Sequence, residues 1–281
     1  MLNGTATRAS QGPSRSFIRW FGGKQRQLAV FAPLFPERFE VYFEPFLGSG
    51  AVFFHLVRTG RLRNGAVLSD VNDDLVTAFR CLRDVPEEVI ERLQVHQQLH
   101  CAAHYAAVKQ QDWLDGDGSA PNAAVHRAAR FIYLTNAAFN GSWRVRADGR
   151  LTSSPSSDAR FGSVNATLIR AASRALQHAA IGRADFRDAL QAVAAGDLVL
   201  LDPPFLSEKG ADVGRYTSPR FTASDEVDVW RSFRDLERRG ATVILSSPWS
   251  AGVLHAFRDC TVRQVRSAGG ALEALITNVR T

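Results

Sequence analysis

Leu198-Val199-Leu200-Leu201-Asp202-Pro203-Pro204-Phe205 is the stretch on which the reading of this chain turns. Four aliphatic residues in a row, opened by Gly196-Asp197 and closed by two prolines, predict a fully buried parallel strand that stops abruptly. In open α/β sheets, ligands bind beyond the carboxyl ends of such strands. A carboxylate there, a proline without an N–H, a second φ-locked residue and an aromatic ring make a clamp for a planar molecule bearing an amino group. Asp202 can accept one amino hydrogen, the Pro203 carbonyl can accept another, and Phe205 can stack on the ring. The same residues would also serve as an acidic turn after a core strand, so the flanking sequence has to choose.

Upstream, Val41-Tyr42-Phe43-Glu44 is a short aromatic strand ending in an acid, and Pro45-Phe46-Leu47-Gly48-Ser49-Gly50 is a glycine-bearing turn. A helix follows from Ala51 to Thr59, then a strand, Gly65 to Ser69, ending at Asp70-Val71-Asn72. Strand, glycine turn, helix, strand and a terminal Asp roughly twenty residues past the turn form the nucleotide-binding half of a doubly wound sheet. Gly48 and Gly50 permit close backbone approach, and Asp70 suits ribose hydroxyls. Before this unit, Gly22-Gly23-Lys24 is a tight loop feeding a helix from Gln25 to Phe35 that Pro36 ends. Downstream come a helix over 165–179, a short strand over 181–186 with Asp185 near its end, and a helix over 188–195. After the opening strand follow a polar loop over 207–221, a helix over 224–239 with Ser224 as N-cap, and a strand over 241–247. A helix over 250–257 and closing strands over 261–265 and 272–278 end the chain. Such alternation predicts a parallel or mixed α/β sheet.

Between the second strand and residue 163 the character changes. Leu75 to Cys81, Pro86 to Val108 and Val125 to Ala138 are helical by periodicity, and Asp115 to Ser119 is a flexible break. Phe139 to Leu151 then alternates about Asp148-Gly149, a hairpin signature carrying Arg144, Arg146 and Arg150. Arg144 or Arg146 could read guanine bidentately and Trp143 could wedge where a base leaves the stack, or the hairpin could touch phosphates alone. His96, His100 and His104 fall on one face of a continuous helix, a geometry able to hold zinc. Val95, Leu99, Ala103 and Val108 recur beside them, and no carboxylate or cysteine pair completes a ligand set. A structural helix is therefore preferred and no metal is expected.

With 281 residues and 45% hydrophobic content, the chain can build one large domain or a core domain with a sizeable insertion. The net charge of +6, with arginine supplying most of the 34 basic residues, suits a polyanionic partner. Three cysteines without paired spacing point to a reducing compartment. No run of about 18 apolar residues is present to span a membrane. Residues 1–16 lack the apolar core of a signal peptide and read as a mobile tail, which together place the protein in the cytoplasm.

Taken in order, these pieces resemble the Dam family of S-adenosylmethionine-dependent DNA adenine methyltransferases, from about Arg19 to Asn278. Trp20-Phe21-Gly22-Gly23-Lys24 resembles the family's Trp-x-Gly-Gly-Lys opening, and Glu44-Pro45-Phe46-Leu47-Gly48-Ser49-Gly50 its cofactor loop. Asp70-Val71-Asn72 is similar to the ribose-binding strand end, Asp185-Phe186 to the adenine-side motif, and Asp202-Pro203-Pro204-Phe205 to the catalytic Asp-Pro-Pro-Tyr. Asn140-Gly141 with Arg144 resembles the DNA-contacting hairpin, and Ala274 to Asn278 the last strand. Phe205 replaces the usual Tyr, keeping the stacking face without the phenol. Ser142-Trp143 and the run Leu151 to Pro155 also depart from the family pattern, and they fall in the DNA-reading part.

The resemblance implies a doubly wound, Rossmann-like methyltransferase sheet built from residues 17–72 and 164–281. It also implies an inserted, mainly helical target-recognition domain, residues 73–163, carrying the β-hairpin. It implies S-adenosyl-L-methionine as methyl donor, held by Trp20, Gly23, Lys24, Glu44, Pro45, Phe46, Gly48, Gly50, Asp70, Asn72, Asp185 and Phe186, with Lys24 and Trp20 at its methionine end. Double-stranded DNA is the implied partner, read by Asn140, Gly141, Trp143, Arg144 and Arg146, with no obligate protein partner. The expected reaction is methyl transfer to the N6 amino group of a flipped adenine, with GATC the site that the resemblance suggests. Methylation of the cytosine amino group and a DNA-binding homologue without turnover are the alternatives.

Overall fold

Leu198–Leu201, β4, lies at the centre of a seven-stranded sheet, with all four side chains shut off from water on both faces. The computed structural model describes residues 13, 15–111, 122–156, 161–206, 215–218, 220–267 and 270–279. The other strands are β1 (Tyr42–Glu44), β2 (Ala66–Asp70), β3 (Ala179–Arg183), β5 (Thr242–Pro248), β6 (Thr261–Arg266) and β7 (Leu272–Thr277). Their order is β3-β2-β1-β4-β5-β7-β6, with β7 antiparallel to both neighbours and the other paired neighbours parallel. The chain runs outward from β1 through β2 to β3 and then returns to β4. Tyr42 pairs with Leu198 and Phe43 with Val199, so the carboxyl ends carrying Glu44 and Asp202 are neighbours at the topological switch point. This is the doubly wound, Rossmann-like sheet expected from the sequence.

The helices are α1 (Leu28–Phe31), α2 (Ala51–Arg58), α3 (Asp73–Asp84), α4 (Pro86–Gln98), α5 (Ala102–Gln110), α6 (Ala123–Ala137), α7 (Ala166–Leu176), α8 (Phe186–Ala189), α9 (Ala223–Arg238) and α10 (Ala251–Ala256). On one face of the sheet, Tyr42, Leu198, Leu200 and Ile244 join a core shared with α2, α3, α6 and α7. On the other, Phe43, Val199, Leu201 and Val243 pack with Val229 and Phe233 of α9. α3 packs on β2 and β3 as well as on α6, so it belongs to the wall of the sheet and to the helical layer at once. No helix among the described residues is long and apolar enough to cross a membrane.

Several local expectations change. The helix expected over 25–35 is one α-turn between two 3-10 turns, because Pro33 cannot donate a backbone hydrogen bond. The N-cap of α9 is Thr222 rather than Ser224: its hydroxyl accepts from Asp225 N while Asp225 accepts from Thr222 N, a reciprocal capping box. The third strand ends at Arg183, and Asp185 caps α8 instead of continuing the strand. The helix expected over 86–108 breaks after Gln98 and restarts at Ala102, with Cys101 capping the second piece. His96, His100 and His104 therefore do not share one helical face. They gather around Tyr133, with His96 Nδ1 3.0 Å from His104 Nε2 and His100 Nδ1 2.8 Å from the Tyr133 hydroxyl. The flexible break over 115–119 lies outside the described residues.

The hairpin forms, with Val145 bridged to Leu151 and a turn at Asp148-Gly149. Trp143 is not on its outer surface: the indole is 3% exposed and packs with its centroid 4.6 Å from that of Phe131 in α6. A large amphipathic ring next to an apolar helix gains more from burial than from solvent exposure.

Candidate active site

Asp202 follows directly on β4 and meets Lys24, which the glycine loop at 22–23 delivers: Lys24 Nζ lies 2.8 Å from Asp202 Oδ1. The same ammonium lies 3.6 Å from Glu273 Oε2, near the start of β7, and 3.4 Å from the Gly22 carbonyl. Gln27 Nε2 donates to Glu273 Oε2 at 3.0 Å and to the Arg266 carbonyl at 3.3 Å. Lys24 Nζ also sits 5.1 Å from the centre of the Phe205 ring. Burial raises the Asp202 carboxyl above the usual carboxylate range although Lys24 pulls it down. Burial works against the Lys24 ammonium, but Asp202 and Glu273 outweigh it and hold its pKa above the ordinary lysine value. Pro203 is buried, and Pro204 and Phe205 are half-buried on the wall of the cavity.

Glu44, at the end of β1, is buried, and burial first and the nearby Asp202 next raise its pKa to about 8. Its Oε2 is buried without a hydrogen-bond partner, and the residue lines the same cavity. Gly48 has φ +46° and Gly50 φ +63°, conformations that suit glycine, and a Cβ on Gly48 would come 3.0 Å from Trp20 Nε1. Gly48 N donates to Asp70 Oδ2 at 3.2 Å, and Asn72 N donates to Asp70 Oδ1 at 2.9 Å. Those bonds hold Asp70 down, but burial outweighs them and sets its pKa at about 6. Phe46 and Phe186 lie 5.2 Å apart and Phe46 and Phe221 6.3 Å apart, forming an aromatic corner. Asp185 is beside it, ion-paired with Arg187 at 3.1 Å, and the Arg187 guanidinium stands 4.4 Å over the Phe186 ring.

Two residues expected on the cofactor side make contacts within the protein. Lys24 is engaged with the Asp-Pro-Pro-Phe carboxylate. Asn72 is buried: its Oδ1 caps α3 through Leu75 N, its Nδ2 donates to the Tyr216 carbonyl, and it is not on the cavity wall. Trp20 is on the wall, stacked on Tyr216 with ring centroids 5.2 Å apart, and Gly23 is held to the Trp20 carbonyl at 3.1 Å.

On the reading side, Asn140 is exposed, has φ +53° and lines the cavity rim. Gly141 is buried against the N-terminal loop, so close that a Cβ would come 2.6 Å from the Arg19 carbonyl carbon. Arg144 and Arg146 are exposed on the hairpin, whereas Trp143 is withdrawn into the core. The ring that stands out is Phe139, 57% exposed, next to Asn140.

The cavity of about 1750 Å³ runs from Asp70 and Asp185 past Asp202 to Asn140. That exceeds the usual range for one small ligand, roughly 300–1,000 Å³, and has room for two. Along the sheet ends it carries Asp70, Glu44, Asp202 and Glu273, a row of carboxyl groups suited to a cationic ligand. Glu273, Gln27, Tyr216 and Phe139 are residues that the motif reading missed. Glu273 left a signal, a single acid in the otherwise apolar strand Leu272–Thr277.

The model of the D12 class N6 adenine-specific DNA methyltransferase family matches residues 20–267. The Type II methyltransferase M1.LlaDCHI of Lactococcus lactis subsp. cremoris is 31% identical, over 94% of this chain and 95% of its own. Type II methyltransferase M.MjaIII of Methanocaldococcus jannaschii is 25% identical over 84% and 85%. The DNA N-6-adenine-methyltransferase of Escherichia phage P1 is 26% identical over 89% of this chain and 32% of its own length. Among solved structures, the rRNA methyltransferase aviRa of Streptomyces viridochromogenes covers 92% of this chain and 83% of its own at a TM-score of 0.40 and 14% identity.

Proposed function

The chain belongs to the D12 class N6 adenine-specific DNA methyltransferase family, and from that premise we propose how its own residues methylate adenine in DNA. The observation that carries the reading is Asp202 at the switch point, a half-buried carboxylate on the wall of a cavity large enough for a cofactor and an extruded base. The donor is S-adenosyl-L-methionine, which when bound supplies a methyl group already activated on a sulfonium. The carboxyl groups of Asp70, Asp202 and Glu273 suit that positive charge, and Glu44, which keeps its proton up to about pH 8, adds a neutral polar group to the row. Asp70 would hold the ribose, and the Phe46, Phe186 and Asp185 corner the adenine end. Gly48 and Gly50 let the backbone pass close.

At the target, Phe205 stacks on the flipped adenine, offsetting the few kcal/mol of lost base stacking. Asp202 and the Pro203 carbonyl accept the two hydrogens of N6, draw the nitrogen toward tetrahedral geometry and free its lone pair to face the methyl carbon. Transfer would form the N–C bond as the donor's methyl–sulfur bond breaks and a neutral thioether leaves; the nitrogen would then carry one proton too many, and Asp202, with its raised pKa, is placed to take it. Catalysis is thus positioning and electrostatics.

Duplex DNA is the proposed substrate, with residues 73–163 as target-recognition domain. Arg144 and Arg146 reach the duplex from the hairpin, and Asn140 stands at the cavity rim. Phe139, not Trp143, is the exposed ring available to fill the gap left by the flipped base. GATC is the site to test first. Incubation with methyl-labelled cofactor and duplex DNA, followed by digestion to nucleosides, tests the assignment: label in N6-methyladenine is expected. Label in N4-methylcytosine, or none, would overturn it.

A further inference from the structure

We propose that Glu273 is a positioning residue for methyl transfer, resting on the reading of Asp202 as the amino acceptor: by sharing the Lys24 ammonium, Glu273 keeps Asp202 available to the target base. Nothing in the motif set points to this residue. It stands on β7, the antiparallel strand between β5 and β6, opposite Pro248.

Glu273 is 4% exposed, Lys24 5%, Gln27 6% and the Asp202 side chain 19%, so the cluster is largely withdrawn from water and opens to the cavity through Asp202. Ionised, it holds two carboxylates and one ammonium, a net charge of −1 that burial makes costly. A buried acid beside a second buried acid is poor value for stability, and an apolar side chain of that size would commonly serve better. Yet Glu273 is held in place: Gln27 Nε2 donates to its Oε2 at 3.0 Å and is itself anchored to the Arg266 carbonyl at 3.3 Å. The geometry maintains a second acid near Lys24 in spite of its cost.

The consequence falls on Asp202. A lone lysine at 2.8 Å would be a full partner for its Oδ1, drawing charge from the carboxylate that must accept from the adenine amino group. Glu273 at 3.6 Å takes part of that ammonium, and its own negative charge opposes the neutralisation of Asp202. A net negative site also favours the amino nitrogen as it becomes positive during transfer. Lys24 in turn keeps Asp202 ionised in a buried setting. Two carboxylates and one ammonium therefore hold Asp202 charged and still basic, which neither partner achieves alone.

The test compares the wild-type protein with Glu273→Gln, which preserves shape and can still accept from Gln27. Each is assayed for kcat, for KM toward S-adenosylmethionine and duplex DNA, and for the pH dependence of kcat, with circular dichroism as a check on folding. E273Q is expected to lose roughly 10- to 100-fold in kcat with both KM values within about threefold. Its acidic limb should move to lower pH, because Asp202 loses a like charge while keeping Lys24. A kcat within twofold of wild type with an unmoved limb would overturn the role, and a shift in stability alone would mark Glu273 as structural. Should E273Q fail to fold, Glu273→Asp carries the test. It keeps the charge but withdraws it from Lys24, and it should lower kcat with KM unchanged and move the limb in the same direction; wild-type kcat and limb would overturn the role. If the wild-type protein transfers no methyl to adenine, the reading of Asp202 fails; if it does and the variants match it, only the role of Glu273 fails.

Discussion

Lys24 Nζ stands 2.8 Å from Asp202 Oδ1 across the switch point of the sheet, joining the N-terminal glycine loop to the end of the central strand. Both groups are largely withdrawn from water. The pair therefore links stability to chemistry, since removing either member strands a charge in the interior.

Lys24→Met should show both effects. Leaving Asp202 and Glu273 buried without their ammonium is expected to cost about 3 kcal/mol or more, read as a lowered urea midpoint. Methyl transfer should fall sharply at neutral pH and recover partly at higher pH, because Asp202 without Lys24 titrates higher still. A variant with wild-type stability and pH profile would show that the pair is incidental.

Glu44 predicts a stability signature. Its folded pKa is about 8, above the value near 4.5 of a free glutamate, so the folded protein holds a proton that the unfolded chain has released across this window. Its contribution is therefore complete below about pH 4.5 and is lost as pH rises to about 8. Glu44→Gln cannot release that proton, and its stability should decline less between those limits, with a difference of a few kcal/mol at about 1.36 kcal/mol per pKa unit. Parallel stability curves for the two proteins would contradict the assignment.

Trp143 and Phe139 separate core from contact surface. Trp143→Ala should destabilise the fold by about 3–5 kcal/mol, as expected for emptying a buried aromatic site. Phe139→Ala should leave stability within about 0.5 kcal/mol, as for an exposed side chain, while slowing methyl transfer. Thermal melts and single-turnover rates decide; the opposite pairing of losses would show that the indole, not the phenyl ring, meets DNA.

Arg144 and Arg146 are exposed on the hairpin, and each that contacts a phosphate contributes to the salt dependence of binding. Replacing such a contact should reduce the slope of log affinity against log salt by about 1. A variant that keeps the slope but loses discrimination between sequences would mark a base contact instead.

Local pattern made the frame of the molecule legible. Leu198 to Leu201 had the composition of a strand buried on both faces, Gly48 and Gly50 marked a turn that does need positive φ, and Asp70 marked a strand end. What escaped depends on long-range packing. The meeting of Lys24 with both Asp202 and Glu273 requires the position of β7 between β5 and β6, which no spacing encodes. The burial of Trp143 depends on Phe131 in a helix that precedes it, a partner that hairpin alternation does not reveal. The periodicity across His96 to His104 hid a break at 99–101, because histidine and cysteine are poor local markers of a helix end.

The most direct test is to express the wild-type protein and Asp202→Ala in a host without DNA methylation and to measure modified nucleosides in its DNA by mass spectrometry while mapping their positions. The account predicts N6-methyladenine at one recurring short site with the wild type and none with the folded D202A. Methylation on cytosine, its absence from the wild type, or N6-methyladenine undiminished in D202A would contradict it.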